Sequence, residues 1–208
     1  MGIPIISLFC GCGGLDLGFT RAGFEVVLAL DVDPVAVRTY DFNHGEGIAQ
    51  VANLAKTDGA GVIELLREKH LEEAPRGIIG GSPCQAFSHS NVYVKDDDIQ
   101  RSLPGRYAAI LKTLNERYNL DFFVFENVRG ITFNRHRKEF AHFRSLFEDA
   151  GFRLFEGLLD ARDFGVPQKR PRVFVVGVNK DKYEEWDFRF PDPDGSPEIG
   201  RASCRERV

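Results

Sequence analysis

The 208-residue chain carries 27 Lys and Arg against 31 Asp and Glu, a formal net charge of −4, with 43% hydrophobic and 28% charged residues. That balance suits a globular protein large enough to bury a core; it excludes a disordered chain and argues against one that coats nucleic acid by bulk charge. No stretch is apolar enough to span a bilayer, and the start lacks the basic and extended apolar segments of a signal peptide, so a cytoplasmic protein is expected.

Residues 3–9 form an apolar run ending in Cys10-Gly11-Cys12-Gly13-Gly14, the pattern of a buried strand feeding a glycine turn. A helix to about Ala22 follows, then a second apolar run over 25–30 ending at Asp31, with Pro34 placed for the first turn of another helix. Residues 61–70 read as helical, and 77–80 as a short strand breaking into Gly81-Ser82-Pro83-Cys84. The polar stretch 85–104 reads as a long loop, a class usually functional inside a compact domain. A helix over about 106–118, a strand over 121–125 ending at Glu126, a helix around 137–150 and strands near 152–159 and 172–178 complete the alternation. Strands alternating with helices predict an α/β fold with a mostly parallel sheet.

Four cysteines with no second pair and no histidine at ligand spacing predict neither a disulfide framework nor a metal site. Residues 129–172 hold ten Lys and Arg against six acids, a local excess that could meet phosphates or simply be a solvated surface. After Asn179 the chain turns charged and proline-rich, and 198–208 read like a translated sequencing adapter, which would make Cys204 irrelevant.

Four clusters carry chemistry. The glycine turn sits where α/β folds hold nucleotide-like ligands, yet Asp16 occupies the third glycine position of the dinucleotide fingerprint and no Gly-Lys-Ser/Thr follows. Asp31 stands at the spacing of a ribose-binding acid, so an adenosyl ligand without a diphosphate fits; a tight turn and a surface acid would also explain the pair. Cys84, at a strand end after a rigid proline, is placed as a nucleophile. Glu126 leaves an apolar strand, where partial burial would raise its pKa and suit a proton donor, or it is an ordinary strand-end cap. Alternation along the last strand would put Arg170 and Arg172 on one face to hold a carboxylate, phosphate or base edge, or merely to meet solvent.

Taken in order, Ser7-Leu8-Phe9-Cys10-Gly11-Cys12-Gly13-Gly14, Asp31, Gly81-Ser82-Pro83-Cys84-Gln85, Glu126-Asn127-Val128 and Gln168-Lys169-Arg170-Pro171-Arg172 resemble the DNA cytosine-5 methyltransferase family, from the N-terminus to about Asn179. The resemblance implies a Rossmann-like S-adenosylmethionine-dependent fold, a mostly parallel doubly wound sheet with an antiparallel strand near its C-terminal end. It implies transfer of a methyl group from S-adenosyl-L-methionine to carbon 5 of a cytosine flipped out of DNA, in a prokaryotic or phage restriction-modification or epigenetic setting. Cys84 would be the nucleophile, Glu126 the partner of the base, and Arg170 and Arg172 a supporting clamp. Phe9, Gly11, Gly13, Leu15, Asp31, Val32, Asn53, Pro83 and Leu103 would line the cofactor pocket, with Asn53 standing where the family often has an acid. Gln85, Ser88 and Gln168 would serve the substrate loop, and the polar stretch would close over the flipped base.

On the same resemblance, 1–179 is the catalytic domain and 180–197 the start of a target recognition region. The rest of that region and the last two family motifs are missing. The full-length protein is then expected to be a monomer, and these 208 residues to be inactive alone. A tRNA cytosine-5 methyltransferase shares the catalytic set, and a catalytically incompetent cofactor binder is a further alternative. A nucleotide-binding oxidoreductase leaves the Pro-Cys and Glu-Asn-Val motifs unexplained.

Overall fold

A computed structural model describes residues 2–70, 74–83 and 99–193. Seven strands form one sheet: β1 (Ile3–Leu8), β2 (Phe24–Asp31), β3 (Ala49–Val51), β4 (Gly77–Gly80), β5 (Phe122–Val128), β6 (Phe152–Asp160) and β7 (Pro171–Asn179), in the order β3-β2-β1-β4-β5-β7-β6. The pairings from β3 through β5 are parallel, whereas β7 runs antiparallel to both β5 and β6. Among the described residues five α-helices accompany it: α1 (Gly14–Arg21), α2 (Pro34–His44), α3 (Gly59–Arg67), α4 (Ile99–Tyr118) and α5 (Arg137–Asp149). None of the described helices is long and apolar enough to cross a membrane.

The central strands are buried on both sides, as continuous apolar runs such as Ile5-Ile6-Ser7-Leu8 require. One face of the sheet (Ile6, Leu8, Ile78, Phe123, Phe125, Val175) packs on α3, α4 and α5. The other (Ile5, Ala29, Ile79, Val124, Val176) packs on α1 and α2. This is the doubly wound arrangement that the resemblance implies. Because β1 pairs with β2 on one side and β4 on the other, the strand order reverses at β1, and a crevice forms beyond the C-terminal ends of β1 and β4, where such sheets bind ligands.

Several boundaries differ from the sequence reading. Helix α4 begins at Ile99 and runs through Pro104, so the end of the stretch read as a loop from its polarity is helical. Helix α3 begins at Gly59, its N-terminus capped by Asp58, which accepts from Gly61 N at 2.9 Å. The three-residue β3 carries too short an alternation to stand out and was not anticipated. Strand β5 extends to Val128, placing Glu126 inside a strand rather than at its end.

Candidate active site

Two clusters meet at the C-terminal edge of the central strands. The first is the turn between β1 and α1. Phe9, Gly11 and Gly13 all have positive φ (56°, 54° and 85°), a conformation costly for a bulky residue such as phenylalanine. Gly13 N donates to Cys10 O at 3.0 Å, closing the turn. From the end of β2, Asp31 accepts from Gly11 N at 2.9 Å and from Asp33 N at 2.9 Å. The two faces of the turn differ. A Cβ on Gly13 would strike His44 and Tyr40, whereas one on Gly11 would meet nothing within 4 Å.

That open face, with exposed Val32 beside it and half-buried Phe9 and Leu15 on the flanks, is a bed for a small ligand. Each Asp31 oxygen takes one amide and keeps a lone pair for a hydroxyl. These residues therefore fit an adenosyl cofactor. Asn53 is exposed and turns its own loop, accepting from Ala55 N at 3.1 Å. Leu103 is buried on α4, and Pro83 is exposed.

The second cluster is ionic. β5 runs past the end of β4, whose last residue Gly80 pairs with Phe125, so Glu126 lies beside the chain leaving β4. A Cβ on Gly81 would sit 2.8 Å from Glu126 Oε2, so only glycine lets that chain pass. Glu126 Oε1 receives Arg172 Nε from β7 at 2.8 Å, both side chains about a quarter exposed or less. Burial pushes the Glu126 carboxyl above the usual range, while the charges of Arg172 and Arg170 pull it back. Arg170 precedes β7 and is exposed; its backbone N donates to Asp160 Oδ1 at 3.0 Å. Arg170 is thus outside the strand alternation invoked for it, and Arg172 makes the ion pair. Gln168 is exposed in the preceding turn, its N donating to Val166 O at 2.7 Å. Cys84, Gln85 and Ser88 lie outside the described residues.

Two sets of residues escaped the sequence reading. Buried Asn127 donates through Nδ2 to Ser82 O at 3.3 Å and accepts from Val128 N at 2.9 Å, pinning the chain just before Pro83-Cys84. Its motif was visible but its partner was not. Asp16, almost fully buried in α1, accepts from Tyr40 Oη at 2.9 Å. Its position three residues before half-buried Phe19, on an inward helix face, was a usable signal. An apolar groove of about 790 Å3 is lined by Ile3, Phe24 and Phe122 at the N-terminal ends of β1, β2 and β5, and extends to Phe174, which pairs with Glu126.

The sequence profile of the C-5 cytosine-specific DNA methylases matches residues 3–203. The chain is 40% identical over 193 residues to Type II methyltransferase M.FnuDI of Fusobacterium nucleatum, covering 92% of this chain and 51% of that protein. It is 38% identical to M.NgoPII of Neisseria gonorrhoeae, covering 91% and 51%. The chain thus spans about half the length of these relatives. Among solved structures, a DNA modification methyltransferase encoded within an E. coli prophage superposes with a TM-score of 0.73 at 27% identity, covering 92% of this chain and 52% of that one. Spodoptera frugiperda DNMT2 superposes with a TM-score of 0.67 at 26% identity, covering 91% and 53%. With its sheet order, its glycine turn and its Glu126–Arg172 pair, the chain belongs to the C-5 cytosine-specific DNA methylase family.

Proposed function

We propose that this chain is the catalytic part of a DNA cytosine-5 methyltransferase that uses S-adenosyl-L-methionine, with 1–179 forming the catalytic domain and 180–197 leading into a target recognition region. The observation that carries the reading is the half-buried Glu126–Arg172 pair set against the segment that leads into Cys84. Gly11, Asp31, Val32 and their neighbours would hold S-adenosylmethionine on the open face of the turn, and bound there it would supply an electrophilic methyl group.

Carbon 5 of cytosine is a weak nucleophile inside an aromatic ring. The base is flipped from the duplex at a cost of about a few kcal/mol. The Cys84 thiolate forms a bond to carbon 6 while Glu126, its carboxyl pushed above the usual range by burial and oriented by Arg172, hydrogen-bonds N3 and meets the charge that develops there. Carbon 5, then electron-rich, would take the methyl group as the methyl–sulfur bond breaks and S-adenosylhomocysteine leaves. Loss of the carbon 5 proton to a base re-forms the 5,6 double bond and expels Cys84. The basic excess over 129–172 supports a phosphate-facing surface.

The test uses duplex DNA carrying 5-fluorocytosine, whose fluorine blocks the last elimination. With cofactor present, the protein including its downstream coding region is expected to give a covalent adduct that survives denaturation, and Cys84→Ala none. A wild-type protein that methylates DNA without adduct, or that modifies tRNA in preference to DNA, overturns the reading.

A further inference from the structure

The glycine turn strings three positive-φ residues together, one of them a phenylalanine, so its shape depends on outside support. That support comes from one unit of the chain, β2 and α2. At one end of the turn, Asp31 of β2 holds Gly11 N. At the other end, α2 stands beneath Gly13: the His44 and Tyr40 rings lie so close that a Cβ on Gly13 would fall 2.2 Å from His44 Nε2 and 2.9 Å from Tyr40 Cε2. The two rings pack with centroids 4.4 Å apart at 30°. Tyr40 is fully buried, and its hydroxyl ends on Asp16, three residues beyond Gly13 in the first turn of α1.

A buried carboxyl is an expensive way to join two helices. An apolar pair would supply the same adhesion but would leave the start of α1 free to slide along α2. A hydrogen bond to a fixed hydroxyl sets distance and direction together. The catalytic cluster makes no use of this pair, and Gly13 at the N-cap of α1 has no side chain with which to order that end.

We propose that Asp16 and Tyr40 are positioning residues for S-adenosylmethionine: their hydrogen bond, with His44 set under Gly13, keeps the turn braced on one side so that the Gly11 side stays open to the cofactor. The inference rests on the cofactor reading given above. Neither residue touches the ligand bed itself; each acts through the turn.

The experiment titrates the protein including its downstream coding region with S-adenosylmethionine by calorimetry and follows amide exchange of residues 9–16 in the ligand-free protein. Tyr40→Phe keeps the ring and removes only the hydroxyl. It is expected to weaken binding about fivefold to tenfold and to speed exchange in that segment alone. Asp16→Ala, which also loses the Ser7 hydroxyl, should weaken binding at least as much, and the double variant should be no weaker than Asp16→Ala alone. Asp16→Asn, whose amide oxygen still accepts the hydroxyl, should restore affinity to within about twofold of wild type. Equal affinity and unchanged exchange in Tyr40→Phe overturn the positioning role and leave the cofactor reading standing. Exchange raised evenly across the chain, with affinity falling in step with melting temperature, shows a merely structural role and also overturns it. A wild-type chain that does not bind S-adenosylmethionine overturns the cofactor reading and this inference with it, whereas the local exchange change would still report the brace.

Discussion

Glu126 on β5 and Arg172 on β7 meet at 2.8 Å across the antiparallel junction of the sheet, two residues from directly opposite, because Arg172 pairs with Val128 and Phe174 with Glu126. The reversed strand thus brings a cation from late in the chain to an acid whose pKa burial raises and that cation lowers. Glu126→Gln keeps the shape but neither ionises nor donates from oxygen. Single-turnover methyl transfer by the protein with its downstream region should fall about a hundredfold with DNA affinity nearly unchanged. Rates within twofold would reduce Glu126 to a structural acid.

Asn127 should matter through the segment it holds. Asn127→Ala leaves the buried Ser82 carbonyl without its donor, and urea denaturation should register a loss of about 1–3 kcal/mol. Adduct formation with 5-fluorocytosine DNA should slow at temperatures where the variant is still folded. A slow, fully folded variant is the expected signature; normal adduct kinetics would show that Cys84 is positioned without this bond.

Asp31→Ala removes both the amide acceptor that braces Gly11 and the proposed ribose partner. A lost charge-assisted hydrogen bond is worth about 1.5–3 kcal/mol, so calorimetry should show S-adenosylmethionine binding weakened about tenfold or more. Unchanged affinity would move the ribose site away from β2.

Asp16 gives a pH test. Burial raises its carboxyl pKa above the ordinary value, with the Ser7 and Tyr40 hydroxyls opposing the shift. The folded chain therefore keeps this proton to higher pH than the unfolded chain, in which aspartate titrates near about 3.9. The stability associated with Asp16 is present below that value and is lost as pH rises through the folded pKa. In urea denaturation, the stability of Asp16→Asn relative to wild type should therefore increase between about pH 4 and neutrality. A difference that stays flat with pH would mean that the folded carboxyl titrates like an exposed one.

Local sequence determined much of this protein. The apolar runs of β1, β4 and β5 are long enough only for strands covered on both faces, and Cys10-Gly11-Cys12-Gly13-Gly14 admits few conformations besides a tight turn. Those signals act within a few residues, which is why the order of elements and the positions of Asp31, Glu126 and Arg172 were legible. The boundaries of α4 and β5 and the presence of β3 were not, because Pro104 and a three-residue strand are decided by packing rather than by pattern. Only the tertiary structure decided that Arg172, not Arg170, reaches Glu126, since that depends on where β7 begins and how it pairs with β5. It alone decided, too, that Asn127 holds Ser82 and that Asp16 is buried on Tyr40. Each contact joins residues from separate elements, and it is selected because either partner buried without the other would be left unsatisfied, a condition that no single stretch of sequence encodes.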